Sequence, residues 1–81
     1  MTNLETLASC FRDVLELHSA FPVETLAYQE HPAWDSVAHM RLIAAIETAF
    51  DIMMDTDQIL GMSSFEKAKE ILASHDIDLA S

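Results

Sequence analysis

The stretch "HPAWDSVAHMRLIAAIETAF", residues 31–50, changes character part-way along. Up to Trp34 it shows no apolar repeat, and Pro32 biases His31 away from helical backbone. From Asp35 or Ser36 to about Phe50 the spacing is helical. At about 100° per residue, Leu42, Ile43, Ile46 and Phe50 fall on one side with His39 at their edge. These residues form the expected core stripe. Val37, Met40, Arg41, Ala44, Glu47 and Thr48 fall on the other side, and Ser36 lies near the border. That second face is half apolar yet carries charge. It is either a docking face for a partner or a surface covered by the chain's own loop. Asp35 and Ser36 occupy the seam, where either side chain could cap the helix.

Working outward, "TNLE" opens a first helix, with Thr2 and Glu5 at capping-box spacing. Leu4, Leu7, Ala8, Phe11, Val14 and Leu15 make its apolar stripe, and its end is expected near His18. Cys10 is expected as a small apolar edge residue of this helix. Periodicity is lost from Ser19 to Trp34, a stretch punctuated by Pro22 and Pro32. So long a loop is uncommon in a small domain and usually functional. Phe21, Val23, Leu26 and Tyr28 are the residues expected to tie it to the core. A short third helix is predicted from Thr56 to Leu60, with Asp55 or Thr56 as cap and Gly61 as stop. "SSFE" suggests a second capping box, Ser63 with Glu66. It starts a last helix with the stripe Phe65, Ala68, Ile71 and Leu72, fraying toward "DIDLAS". The chain has one glycine and two prolines, with no alternating β-branched run. The predicted fold is therefore all-α: a four-helix bundle with three longer helices, one short third helix and a long first loop, spanning residues 1–81 as one domain.

Composition narrows the function. Fourteen acidic and four basic side chains give a formal net charge of −10. Such a chain repels phosphate backbones and anionic membrane surfaces, and steers toward basic partner patches. No nucleic-acid partner is expected. The single cysteine excludes an internal disulfide and fits a reducing, cytoplasmic setting. The start "MTNLETLASC" has no basic leader and no long apolar block, so no secretory signal is expected. No apolar run reaches membrane-spanning length.

Catalytic and metal chemistry find little purchase. His18, His31, His39 and His75 are scattered, without a pair at ligand spacing. Asp51, Asp55 and Asp57 lack the glycine and terminal glutamate of a calcium loop. No glycine-rich phosphate cradle is present. A nucleophilic Ser36 would need a base and an oxyanion hole, and a domain this small offers few places for a substrate pocket. No enzyme activity is expected. On residue types alone, Asp35 and Ser36 read as helix caps.

"DSVAHMRLIAAIETAFDI" resembles the attachment region of acyl carrier proteins, in which Asp-Ser-Leu is followed by an amphipathic helix ending in Glu-x-x-Phe. Asp35, Ser36, Val37, Leu42, Ile43, Ile46, Glu47, Phe50 and Asp51 fit that pattern. The similarity runs along the whole chain: a first helix, a long loop, a second helix, a short third helix, and "SSFEKAKEIL" as the fourth. The resemblance implies that Ser36 carries a covalent 4′-phosphopantetheine arm, taken from coenzyme A by a phosphopantetheinyl transferase. The thiol of that arm would hold a cargo as a thioester. It implies that Asp35 caps the helix and helps the transferase recognise the site. Further partners would be an acyl- or aminoacyl-loading enzyme and a downstream synthase or transferase, visited by a monomeric carrier. Val37, Met40, Arg41, Ala44 and Glu47 would form the docking face.

Departures from the family pattern refine this expectation. Carriers of fatty acid synthesis show several acids along the exposed face of this helix. Here Arg41 stands there, and Glu47 is the one acid among the outward residues. Trp34 replaces the usual small residue, either as a loop anchor packed on the core or as an indole that contacts the arm. "WDSVAHM" looks more like free-standing carriers of specialised pathways, with polyketide, peptide or hydroxy-acid cargo. The alternatives are a carrier for ordinary fatty acid synthesis, or an arm-less helical interaction module of the same fold. Met40, Met53, Met54 and Met62 could fill the core or line an acyl cavity.

Overall fold

A computed structural model describes residues 2–28 and 30–79. Among these the chain is helical, without strands: α1 (Asn3–Leu15), α2 (Ser36–Phe50), α3 (Thr56–Gly61) and α4 (Phe65–Ser74), plus one 3₁₀ turn at Val23–Thr25. Gln29 of the long loop and the last two residues of "DIDLAS" lie outside the described residues. The Cα radius of gyration, 11.4 Å, matches the ~11.7 Å of a folded chain of this length. No helix of the described residues is long and apolar enough to cross a membrane.

α1 starts where its sequence signal lies. The Thr2 hydroxyl accepts from the Glu5 amide at 3.1 Å, and the Glu5 carboxylate accepts from the Thr2 amide at 3.2 Å. The Thr2 amide foremost, and then the Thr2 side chain, hold the Glu5 carboxyl below its usual value. The helix stops at Leu15 rather than near His18. Glu16 turns left-handed (φ 53°, ψ 47°), and the Glu16 and Leu17 amides both donate to the Arg12 carbonyl. α2 ends in the same way: Asp51 turns left-handed (φ 53°, ψ 52°), and the Asp51 and Ile52 amides donate to the Glu47 carbonyl. A non-glycine residue in this conformation costs roughly 1–2 kcal/mol. Each turn also aims an apolar side chain back at the core, Leu17 in one case and Ile52 in the other. That burial offsets the backbone cost.

Asp55 caps α3 in a reciprocal box with Gln58, and the helix runs through Gly61. The cap of α4 is Ser64, not Ser63: the Ser64 hydroxyl accepts from the Lys67 amide at 3.1 Å. A backbone clip explains the shift. The Tyr28 amide donates to the Ser63 carbonyl at 2.8 Å, and Ala27 and Ser64 form an isolated antiparallel bridge. Residues 63 and 64 are thus held outside the helix by the long loop. After α4 the chain does not fray at once. Ile77 and Leu79 pack on the core, and the Asn3 side-chain amide donates to the Asp78 carbonyl at 2.9 Å.

Three rings from three segments lock the centre. Phe11 meets Trp34 edge-on at 5.4 Å and Phe65 at 5.1 Å. Around them lie Leu7, Leu42, Ile46, Met62 and Leu72, all nearly without exposed surface. From the loop, Val23 and Leu26 are buried, while Phe21 and Tyr28 are half-buried. The stripes are shifted from their expected positions at the helix ends. Leu4 and Phe50 are not in the core: Leu4 is exposed and Phe50 is only half-buried. Cys10, expected at an edge, is buried, and burial pushes its thiol pKa up. Met54 and Met62 fill the core, whereas Met40 and Met53 are exposed.

Phe11 and Phe50 should therefore differ in a denaturant titration. Phe11→Ala removes the ring on which Trp34 and Phe65 meet, and should cost about 3–5 kcal/mol. Phe50→Ala should cost about 1–2 kcal/mol. Equal losses would place Phe50 in the same core as Phe11.

Candidate functional site

The N-terminus of α2 is built by Asp35. Its backbone is extended, its carboxylate accepts from the Ala38 amide at 2.9 Å, and its carbonyl accepts from the His39 amide at 2.8 Å. Asp35 is the cap, so the neighbouring Ser36 is not. Ser36 is the first helical residue and is exposed. The amides of Ser36 and Val37 have no acceptor within the helix, because the first turn of an α-helix leaves its donors unpaired. They lie at the positive end of the helix dipole.

Among the described residues, the Ser36 hydroxyl has one side-chain partner, the hydroxyl of Tyr28 at 3.2 Å. The Tyr28 ring stacks on the His39 ring (4.9 Å, 17°), beside the Trp34 indole (6.0 Å, 8°). His39 is buried and fully engaged. The Trp34 indole N–H donates to its Nδ1 at 3.0 Å, which makes Nδ1 an acceptor. The ring proton then sits on Nε2, which donates to the Ile59 carbonyl of α3 at 2.8 Å. Both nitrogens are committed, so neither is presented to Ser36 as a base. His31 is likewise turned inward on its own loop, its Nδ1 accepting from the Ala33 amide at 3.1 Å.

Of the two roles open to Trp34 the structure takes the loop anchor, and Glu47 is placed differently from expectation. Trp34 has no exposed surface and its one polar atom is bonded to His39, so the indole cannot contact an arm on the outside of the domain. It is the loop anchor. Glu47 is half-buried, and its carboxylate accepts from the Met54 amide at 2.9 Å. The turn after α2 needs that acceptor, which withdraws Glu47 from a docking face. Val37, Met40, Arg41 and Ala44 do face outward, with Val37 and Met40 more than half exposed. α3 adds exposed Leu60, and the segment before it exposed Met53.

Tyr28 was legible only as a loop tie to the core. Its contact with Ser36 spans eight residues of chain without regular structure. No periodic signal could have set that register.

Scans against protein-family models, curated proteins and solved structures found no match for this chain.

Trp34→Phe tests the junction behind the site. The phenyl ring is smaller than the indole, so the substitution opens a cavity in a fully buried place and also leaves the His39 Nδ1 acceptor unpaired. The two losses together should cost about 2–5 kcal/mol in thermal or urea unfolding. An unchanged midpoint would mean that the indole hydrogen bond contributes nothing.

Proposed function

We propose that this chain is a carrier protein of the acyl carrier type. In this reading its four helices are arranged as a four-helix bundle, and Ser36 is the attachment point of a 4′-phosphopantetheine arm. The observation that carries the reading is the placement of Ser36. An exposed serine hydroxyl stands at the first residue of a fifteen-residue helix, relieved of capping by Asp35. It is flanked by an outward face with an apolar centre. The sequence pattern around it resembles that of acyl carrier proteins.

The residues present fit a phosphodiester. The Asp35 carboxylate, which would repel an anion, is turned onto the Ala38 amide. Free amides of the first turn and the helix dipole favour negative charge by about 0.3–1 kcal/mol. In the modification, Ser36 Oγ would attack the pantetheine-side phosphorus of the coenzyme A pyrophosphate. The Oγ–P bond forms as the bridging P–O bond breaks. Adenosine 3′,5′-bisphosphate leaves with the bonding electron pair, and the hydroxyl proton passes to a base of the transferase. Once attached, the arm supplies a thiol that holds cargo as a thioester. The chain's own part is to present Ser36, keep the helix end ordered and offer a surface to successive enzymes. It is not itself an enzyme in this reading, and it acts as a cytoplasmic monomer.

The outward face fits short-lived partners. Val37 and Met40 give it an apolar centre, and Arg41 places a positive charge on its rim. Small interfaces of this kind suit transient encounters. Arg41 would repel a basic docking patch and attract an acidic one, which favours a specialised pathway with polyketide, peptide or hydroxy-acid cargo. Arg41→Glu should therefore raise the loading rate by enzymes of ordinary fatty acid synthesis several-fold and reduce it with the cognate enzyme. Both effects should shrink at high salt. Equal rates would make Arg41 a solvated bystander and remove the charge argument for a specialised pathway.

The attachment itself is tested by mass and by thiol count. Coenzyme A and a broad-specificity phosphopantetheinyl transferase should add one arm to the wild-type chain and none to Ser36→Ala. That variant should stay folded, within about 0.5 kcal/mol, because Asp35 retains the cap. Cys10 is buried and its thiol pKa is raised, so it should react slowly with a disulfide reagent. The native protein should gain one fast-reacting thiol on modification. No mass increase would leave an arm-less interaction module.

A further inference from the structure

We propose that Tyr28 is a positioning residue for the Ser36 hydroxyl, and that its phenol donates to the phosphodiester once Ser36 is modified. This inference rests on the carrier reading above.

Tyr28 is held at both ends. Its amide is bonded to the Ser63 carbonyl ahead of α4, and the Leu26 carbonyl accepts from the Phe65 amide at 3.4 Å. Its ring lies flat on His39, which is itself fixed by Trp34 on one side and the Ile59 carbonyl of α3 on the other. Three separate segments thus set where the phenol oxygen lies, and it lies 3.2 Å from Ser36 Oγ. This is not a core tyrosine whose hydroxyl merely escapes to solvent. Its ring packs inward and its polar end stops on the one hydroxyl that the carrier reading requires to react.

The chemistry follows from the inventory of the two groups. A serine hydroxyl has one proton and two lone pairs, and otherwise rotates freely. With Tyr28 as the donor, the bond occupies one lone pair of Oγ, restricts its rotation and leaves the serine proton free to pass to a base of the transferase. Held orientation of a reacting atom lowers the barrier to its reaction. Modification removes the serine proton, and the phosphodiester oxygens are acceptors only. Tyr28 can then act only as donor, and a bond to an anionic acceptor is stronger than one between neutral hydroxyls. The same phenol would serve twice, first orienting the nucleophile and then holding the base of the arm.

Tyr28→Phe keeps the stack on His39 and deletes only the hydroxyl. The kcat of the transferase should fall by about two- to tenfold, the range of one modest hydrogen bond. KM for the carrier should be unchanged, because the docking face is intact. The ³¹P resonance of the modified variant should move from that of the modified wild type. An unchanged kcat with an unmoved ³¹P resonance would overturn the proposal while leaving the carrier reading in place. Failure of the wild type to accept an arm would overturn both. Tyr28 is the chain's one tyrosine, so a second measurement needs no change at that position. With ¹³Cζ-labelled tyrosine, the single resonance should shift in Ser36→Ala and again on modification of the wild type. A resonance that stays put in both would also overturn the proposal.

Discussion

The imidazole of His39 is the junction on which the N-terminal end of α2 and its surroundings depend. A buried histidine is tolerated when both ring nitrogens find partners, since an unpaired polar atom in the interior costs more than the bond it lacks. Here the partners come from two other segments. The indole of Trp34 belongs to the end of the long loop, and the carbonyl of Ile59 to α3. One ring therefore ties loop, α2 and α3 together and fixes its own tautomer in doing so. The flat faces of His39 and Trp34 form the floor on which Tyr28 lies. Through that stack, the position of a surface hydroxyl next to Ser36 follows from contacts inside the domain.

The long loop is ordered by what it touches rather than by its own backbone pattern. Trp34 enters the centre beside Phe11, and Val23 and Leu26 are buried. The Arg12 guanidinium donates to the Phe21 carbonyl at 3.1 Å, and residues 26–28 are clipped to residues 63–65. Ordering so many loop residues costs about 1–2 kcal/mol each in backbone entropy. Burial of the loop's large side chains opposes that cost. The result is a fixed entrance to α2, as the proposed carrier role would require.

In the proposed reading, charge and surface divide the labour of recognition. The acidic excess would attract basic partners at long range, and the outward face of α2 exposes Val37, Met40 and Arg41. Withdrawal of Glu47 into the turn after α2 leaves that face less acidic than its sequence suggests. Arg41 is therefore a larger share of the charge on that face than a count along the helix implies.

Local signals in the sequence determined the helices. Apolar repeats at helical spacing, the Thr2–Glu5 box and the cap candidates Asp35 or Ser36 and Asp55 or Thr56 act over a few residues, so they can be read without knowing the fold, and the structure takes the aspartate in both cases. The pairing of Asp35 with Ser36 ahead of an amphipathic run also marked the candidate site, because a serine just inside a helix start is a local feature. Tertiary structure decided what depends on distant partners. Glu16 and Asp51 turn left-handed because Leu17 and Ile52 then reach the core. Ser64 replaces Ser63 as a cap because the loop binds Ser63. Glu47 turns inward because the Met54 amide needs an acceptor. Trp34 became an interior anchor, and Tyr28 the neighbour of Ser36, because chain packing set the register of a loop that has no period of its own.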